Sequence, residues 1–277
     1  MLPATEPVGK AVKFLPESID TSAAGRIGYN AAIYLPCFFM QIRKLSVVVP
    51  VRNEEDNIAP LIAEIRAALD GVVEFEIIYV NDGSTDATSQ RLAEIRKTCP
   101  QLRVIRHEKS CGQSTAVRTG VKAAKGDWIA TLDGDGQNDP ADIPKLLAAL
   151  EPGVELVGGN RRHARRDTWV KRISSVIANG VRSRMLKDST PDTGCGLKLF
   201  SREVFLDLPY FDHMHRFLPA LVIRRGGRVV SVPVNHRSRE RGVSNYGTLD
   251  RLMVGIVDLF GVMWLQHRAK QPVASEE

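Results

Sequence analysis

Short apolar runs rich in β-branched residues recur along the first half of the chain, separated by segments of helical spacing. The runs are Leu45–Pro50 (LSVVVP), Phe75–Val80 (FEIIYV), Leu102–Arg106 and Asp127–Leu132 (DWIATL). Runs of four to eight residues that are apolar throughout are the mark of strands buried on both faces of a parallel sheet. Between them, Glu54–Leu69 repeats apolar residues at Ile58, Leu61, Ile62, Ile65 and Leu69, which predicts a helix. Ser84–Lys97 reads as a second helix capped by Ser84, Thr85 or Asp86, and Ser114–Ala124 as a third. This alternation predicts an α/β fold with a mostly parallel central sheet flanked by helices. Ligands then bind at the carboxyl ends of the strands.

The second half continues with a helix over Asp142–Leu150, a strand over Val154–Gly159 and a long helix over Thr168–Lys187 behind a basic stretch. A loop over Asp188–Gly196, a strand over Leu197–Phe200, a helix near Phe217–Arg225 and a strand over Arg228–Val234 follow. Residues 1–42 read as an N-terminal extension, broken by Pro3, Pro7 and Pro16 and carrying the apolar patch Ala31–Met40. The expected organisation is this extension, a domain over 43–240, and a C-terminal interfacial helix and tail over 241–277. The opening residues lack the basic start and apolar run of a signal peptide. The longest candidate span, Leu252–Leu265, has 14 residues and contains Asp258, too short to cross a bilayer reliably. Cys37, Cys99, Cys111 and Cys195 form no C-x-x-C pair, which argues against a zinc ribbon and for reduced thiols.

Charge is divided between the halves. Residues 1–140 carry 16 Lys/Arg and 18 Asp/Glu, a net of −2; residues 141–277 carry 22 and 14, a net of +8. An acidic half beside a basic half suits a protein handling metal and phosphates, and a basic half also suits a membrane surface. Nucleic acid is not the expected partner, since no aromatic stacking platform or recognition-helix signature accompanies the charge.

Three strand ends carry the chemistry. Leu132–Pro140 (LDGDGQNDP) places Asp133, Asp135 and Gln137 at alternate positions, where an extended segment would present three oxygens to one hard cation. Mg²⁺ and Mn²⁺ take such ligands and keep positions open for phosphate. Val80–Asp86 (VNDGSTD) offers Asp82 to a base or ribose, with Ser84 and Asp86 read as helix caps. Val49–Asn57 (VPVRNEEDN) ends the first strand at Pro50 and opens the first helix with an acidic turn at Glu54–Asp56.

Taken in order, VVVPVRNEEDNI, EIIYVNDGSTD, CGQSTAVRTGVKAAKGDWI and LDGDGQNDP resemble the family 2 glycosyltransferases of GT-A fold, over roughly Lys44 to Arg268. The resemblance implies that Pro50, Arg52, Glu54, Val80, Asp82 and Asp133 line the pocket of a GDP- or UDP-sugar. Arg52 stands where the family often has Tyr. It also implies that Asp133, Asp135 and Gln137 hold Mg²⁺ or Mn²⁺ and the donor diphosphate, with Asp133, Asp135 and Arg239 as the catalytic set.

Within the family, the basic segments GNRRHARRDTWVKR and NHRSRERGVSNY, with DTGCGLKLF between them, resemble dolichol-phosphate mannosyltransferases and their bacterial polyprenyl-phosphate relatives. Arg161, Arg172, Ser175 (or its neighbour Ser174) and Arg239 are then the residues expected to bind donor and acceptor phosphates. Arg supplies a bidentate fork for such oxygens. A phosphate monoester is already an anion at neutral pH, so an acceptor of this kind needs no general base. The expected reaction is an inverting, metal-dependent transfer of a hexose, of mannose or glucose type, from a nucleotide sugar to polyprenyl (dolichyl or undecaprenyl) phosphate. The alternative, a saccharide acceptor in cell-surface polysaccharide synthesis, requires a base, for which Asp192 and Asp139 are the candidates. Leu249–Leu265, apolar and flanked by Arg251, His267, Arg268 and Lys270, reads as an interfacial helix. The expected location is the cytoplasmic face of the membrane, with a membrane-protein partner as a further possibility.

Overall fold

A computed structural model describes residues 42–161, 180, 182–238 and 248–270, with backbone alone for 248–253. The apolar patch 31–40, the basic stretch after Arg161, most of the long helix expected over 168–187, and the residues Arg172, Ser174, Ser175 and Arg239 lie outside the described residues.

The apolar runs form the strands β1 (Leu45–Val51), β2 (Phe75–Asp82), β3 (Leu102–His107) and β4 (Trp128–Thr131). They alternate with the helices α1 (Ile58–Leu69), α2 (Thr88–Arg96) and α3 (Gln113–Ala123). A 3₁₀ turn at Pro140–Asp142 leads into α4 (Ile143–Ala148), followed by β5 (Val154–Asn160), β6 (Lys198–Ser201), α5 (Arg202–Asp207), α6 (Leu218–Arg225), β7 (Arg228–Pro233) and α7 (Thr248–His267).

The seven strands make one sheet in the order β3-β2-β1-β4-β6-β5-β7. β1 pairs in parallel with β2 and β4, β2 with β3, and β5 with β7. Only β6 runs antiparallel, against β4 and β5. The sheet is therefore mostly parallel, as the alternation predicts. The chain leaves β1 toward β2 on one side and returns to β4 on the other, which makes the β1/β4 crevice a topological switch point.

Two apolar layers cover the sheet. On one face Val47, Val49, Ile77 and Tyr79 pack with Ile58, Leu61, Ile65 and Leu69 of α1 and with Leu146 and Leu147 of α4. On the other, Val48, Ile78 and Val80 meet Val117 and Val121 of α3, and Phe200, Leu221 and Val222 extend the layer toward α6. Gly120 lets α3 lie close to the strands: a Cβ there would come within 2.4 Å of Val48 Cγ1. Alternate residues of one strand thus feed opposite layers, as the pleat requires.

The helix starts depart from expectation. Glu54–Asp56 do not open α1, which begins at Ile58. Asn53 has φ +57, and the chain makes a turn there whose polar groups are spent on the β2–α2 loop. Asn53 N–H donates to Ser84 Oγ (3.0 Å), Glu54 N–H to Thr88 Oγ1 (3.0 Å), and Ala87 N–H to Glu55 Oε2 (2.8 Å). α2 likewise begins at Thr88 rather than Ser84, with Asp86 Oδ1 accepting from Thr88 N–H at 3.0 Å. These reciprocal bonds lace together the two loops at the carboxyl ends of β1 and β2.

Candidate functional site

Asp133 and Asp135 sit just beyond β4, at the switch point. The segment is not extended as its alternating acids suggest: it turns through Gly134 and Asp135, and Gly136 adopts φ +72. Asp135 Oδ1 accepts from Gln137 N–H (3.1 Å), and Asn138 Oδ1 accepts from Asp133 N–H (3.1 Å), so the loop's own side chains fix it. Arg237 N–H donates to Gln137 O at 3.0 Å, tying the turn to the chain beyond β7. Asp133 opens onto a pocket lined by Pro50, Gln113, Val117, Lys198, His215 and Leu218. Asp135 borders a groove with Asn57, Glu64 and Arg237. The turn therefore stands between two concavities.

Asp133 fits a cation ligand. Burial first, and then the charge of Asp135, push its carboxyl above the ordinary range, and Lys198 and Arg161 offset this only in part. The charge of Asp135 acting on the Asp133 carboxyl is a repulsion that a divalent cation would relieve. Gly196 leaves the space for this: a Cβ there would lie 2.1 Å from Asp133 Oδ2. Gln113 Nε2 donates to Asp133 Oδ1 at 2.8 Å and sets the carboxylate's orientation.

Asp82 is in place but heavily engaged. Its Oδ1 accepts from His107 Nδ1 (2.7 Å) and Cys111 N–H (2.9 Å), its Oδ2 from Ser110 Oγ (2.7 Å) and Gly112 N–H (3.0 Å). Burial pushes this carboxyl up, and the four hydrogen bonds together outweigh it and hold the group below the ordinary range. Asp82 thus shapes the 107–112 loop that carries Gln113 into the site. His107, Asp82 and Cys111 also lie close enough to share a metal ion. Both acceptor oxygens of Asp82 are committed, however, and His107 Nε2 faces Thr119 Oγ1 at 3.0 Å, so a metal would have to displace an intact network.

The remaining nucleotide-pocket residues divide. Pro50 borders the Asp133 pocket, Arg52 is exposed, and Glu54 is half-buried and accepts from Asn57 Nδ2 at 2.7 Å. Val80 is fully buried under α3 and presents no surface.

Arg161 lies at the end of β5 and makes a buried fork with Asp192. Nε meets Oδ2 at 2.8 Å, Nη2 meets Oδ1 at 3.0 Å, and the Arg161 amide also donates to Oδ2 at 3.1 Å. Asp139 caps the 3₁₀ turn by accepting from Ala141 N–H at 3.1 Å and pairs with Arg237 Nη2 at 2.8 Å. Both carboxylates suggested as general bases are therefore held by guanidinium groups, which occupy their oxygens. Gln113, Gly196, Lys198 and His215 were not singled out from the sequence. The segments CGQSTAVRTG, DTGCGLK and HMHR were the signals that could have found them.

Residues 46–208, more than half the chain, match the family described as Glycosyl transferase family 2. The chain belongs to glycosyl transferase family 2. A curated relative, dodecaprenyl-phosphate galacturonate synthase of Rhizobium johnstonii, is 36% identical over 241 residues, covering 84% of this chain and 70% of that protein. Undecaprenyl-phosphate 4-deoxy-4-formamido-L-arabinose transferase of Edwardsiella ictaluri is 35% identical over 214 residues, covering 76% and 65%. The chain thus spans about two thirds of these relatives' lengths. Among solved structures, glucosyl-3-phosphoglycerate synthase from Mycobacterium tuberculosis in complex with UDP aligns over 90% of this chain and 88% of that one, at a TM-score of 0.60 and 22% identity. This places the family 2 chain in the GT-A fold. The same enzyme with Mn²⁺, UDP and its product aligns at a TM-score of 0.58.

Proposed function

We propose that this chain transfers a hexose-type sugar from a nucleoside-diphosphate donor to a polyprenyl phosphate. The observation that carries the reading is the likeness to relatives named for dodecaprenyl- and undecaprenyl-phosphate acceptors, which covers 84% and 76% of this chain. UDP is the favoured nucleotide, because a solved neighbour of the same fold is bound to it. Asp133, Asp135 and Gln137 would hold Mg²⁺ or Mn²⁺, and Arg172, Ser175 and Arg239 would receive the phosphates, while Arg161, expected from the sequence to join them, is spent on Asp192 and would position that loop.

A divalent cation in this turn would neutralise the departing diphosphate. The chain's own residues do the rest. Gln113 and Gly196 fix Asp133 in one orientation, and the laced β1 and β2 loops form the wall where Pro50 and Glu54 face the nucleotide. The acceptor is an anion before it arrives, so the protein must align an oxygen with the anomeric carbon rather than remove a proton. The engagement of Asp192 and Asp139 by arginines supports an acceptor of this kind over a saccharide hydroxyl. One in-line displacement inverts the anomeric carbon.

α7 is the candidate membrane contact. Among its described side chains Val257, Phe260 and Trp264 are about 60% exposed or more, and Arg268 lies over the Trp264 ring at 5.9 Å. No helix among the described residues is long and apolar enough to cross a membrane. The proposed placement is peripheral, on the cytoplasmic face, with α7 in the interface and basic side chains at the head groups.

The test is transfer from radiolabelled UDP- and GDP-sugars to polyprenyl phosphate in detergent, with Mg²⁺ or Mn²⁺ and an EDTA control. Label entering an organic-soluble, acid-labile product only with metal supports the reading. Donor turnover onto saccharide acceptors alone would overturn it.

A further inference from the structure

Arg161 and Arg237 are engaged by carboxylates, so the basic half must offer another guanidinium to an acceptor phosphate. Most of the arginines described beyond residue 140 are engaged too. Arg182, Arg225 and Arg228 pair with carboxylates, and Arg202 and Arg224 donate to backbone carbonyls. Arg184 and Arg268 are exposed. Among the described arginines of this half, Arg216 alone is half-buried with neither a hydrogen bond from its guanidinium nor an ion pair.

Its place in the fold is specific. Arg216 closes the 3₁₀ turn Met214–Arg216, where its N–H donates to His213 O at 3.0 Å. His215, in the middle of that turn, walls the Asp133 pocket, and Ser114 Oγ at 2.7 Å from its Nδ1 ties it to the first turn of α3. His213, just before the turn, meets α7: its Nδ1 lies 3.1 Å from Asp258 Oδ2. Asp258 faces inward with Val262, while Val257 and Phe260 on the same stretch of helix stay exposed. The turn therefore joins the Asp133 pocket to the helix proposed for the lipid surface. Burial lowers the pKa of His215 and raises that of Asp258; the charge of Arg216 adds to the first effect and offsets part of the second, so it is felt on both sides. The two nearby carboxylates answer His213 instead: Asp212 Oδ1 accepts from its N–H at 2.8 Å, and Asp258 faces its ring.

We infer that the Arg216 guanidinium binds the phosphate monoester of the prenyl acceptor, between the exposed face of α7 and the Asp133 pocket. A guanidinium gives two parallel N–H donors to two phosphate oxygens, and half-burial limits the screening of its charge. The donor diphosphate belongs to the metal turn, and Arg216 does not line the Asp133 pocket, which leaves it to the acceptor. The inference rests on the transferase reading and adds a residue to its acceptor site.

Farnesyl phosphate is the probe, on the full chain with UDP and Mn²⁺; farnesol and phosphatidylglycerol vesicles are separate arms. By calorimetry, Arg216→Gln should weaken farnesyl phosphate binding by roughly 10- to 100-fold, the range of a hydrogen bond to a charged group. Arg216→Lys keeps the charge without the fork and should recover part of the loss. Arg184→Gln removes an exposed charge from the same half and should stay within about 2-fold of wild type. The KM for polyprenyl phosphate should rise with the loss of farnesyl phosphate affinity, while Mn²⁺-dependent UDP affinity, farnesol binding and vesicle binding stay as in Arg184→Gln. A loss no larger than that of Arg184→Gln, or an equal loss of UDP affinity, overturns the inference. A loss confined to the vesicle arm assigns Arg216 to lipid head groups and overturns it as well. If Arg216→Gln fails to fold, Arg216→Lys decides on the same measurements. Undiminished transfer to polyprenyl phosphate by the variants sinks the inference and leaves the transferase reading standing. Arg216-dependent binding of farnesyl phosphate without transfer of any sugar to lipid does the reverse. If the wild type does not bind farnesyl phosphate, both fall.

Discussion

Gly196→Ala separates the fold from the site more cleanly than removal of an acid. A Cβ at 196 would lie 2.1 Å from Asp133 Oδ2 and 2.6 Å from Oδ1, and real Cβ contacts essentially never fall under 3.0 Å. The carboxylate must therefore retreat by about 0.9 Å or rotate away. Either movement breaks the 2.8 Å bond from Gln113 Nε2. The obstructing atoms are the free end of one side chain, so the fold loses little: about 0.5–1.5 kcal/mol for the lost hydrogen bond. Function should lose more, because a misplacement of about 1 Å in a positioning group costs on the order of 100-fold. Mn²⁺-dependent UDP binding by calorimetry and transfer rate, alongside urea unfolding, would measure both. Gly255→Ala in α7, where a Cβ would meet nothing within 4 Å, is the control. Unchanged metal-dependent binding and transfer in Gly196→Ala would refute the assignment of Asp133 to the cation. A loss of stability above about 4 kcal/mol would show instead that Gly196 serves the core.

Asp135→Ala should abolish transfer, by about 10³-fold or more, with an unchanged circular dichroism spectrum; turnover near wild type would remove Asp135 from the metal set. Arg161→Ala removes the guanidinium fork from the buried Asp192 carboxylate and should lower the urea-unfolding free energy by about 3–5 kcal/mol. Asp82 is held below its ordinary pKa, so it adds stability that is fully present above the unfolded value of about 4 and is lost as pH falls through its folded value. Asp82→Asn should therefore flatten the urea midpoint against pH below about 4, and an identical pH profile would contradict its hydrogen-bonded role. Phe260→Asp with Trp264→Asp should release the protein from anionic vesicles without altering unfolding, since both side chains are about 60% exposed. Continued co-sedimentation would place the membrane contact elsewhere.

The strands were legible because burial on both faces leaves a local mark: LSVVVP and FEIIYV are apolar wherever they are read. The first turns of α1 and α2 were not, because their fate was decided by partners more than 30 residues away. Asn53, Glu54 and Glu55 look like a helix start until Ser84, Thr88 and Ala87 are brought beside them. α5 was passed over although Ser201 Oγ accepts from Val204 N–H at its start, a cap the sequence SREV does carry. At the site, the acids announced themselves by type, but the residues that orient them did not. Gly196 matters only because Asp133 lies against it, and nothing in DTGCG says which glycine must stay bare.

The arginines of the basic half also mean something different once they are placed. Read as a run, Arg161 is one of several charges awaiting phosphate; in the fold it is the partner of Asp192, and Arg237 is the partner of Asp139 and Glu64. A hydroxyl acceptor would need one of those carboxylates as its base, with an oxygen turned toward the anomeric carbon. Ion pairing occupies the oxygens such a base would use. His215 does not fill the gap, because burial first, and then the positive charges of Lys198, Arg216 and His213, hold its pKa well below the ordinary value and leave it a weak base. Among the described residues, then, the groups around Asp133 are arranged to hold and neutralise anions, not to take a proton from an acceptor. The proposed polyprenyl phosphate acceptor, which arrives already ionised, needs no such group.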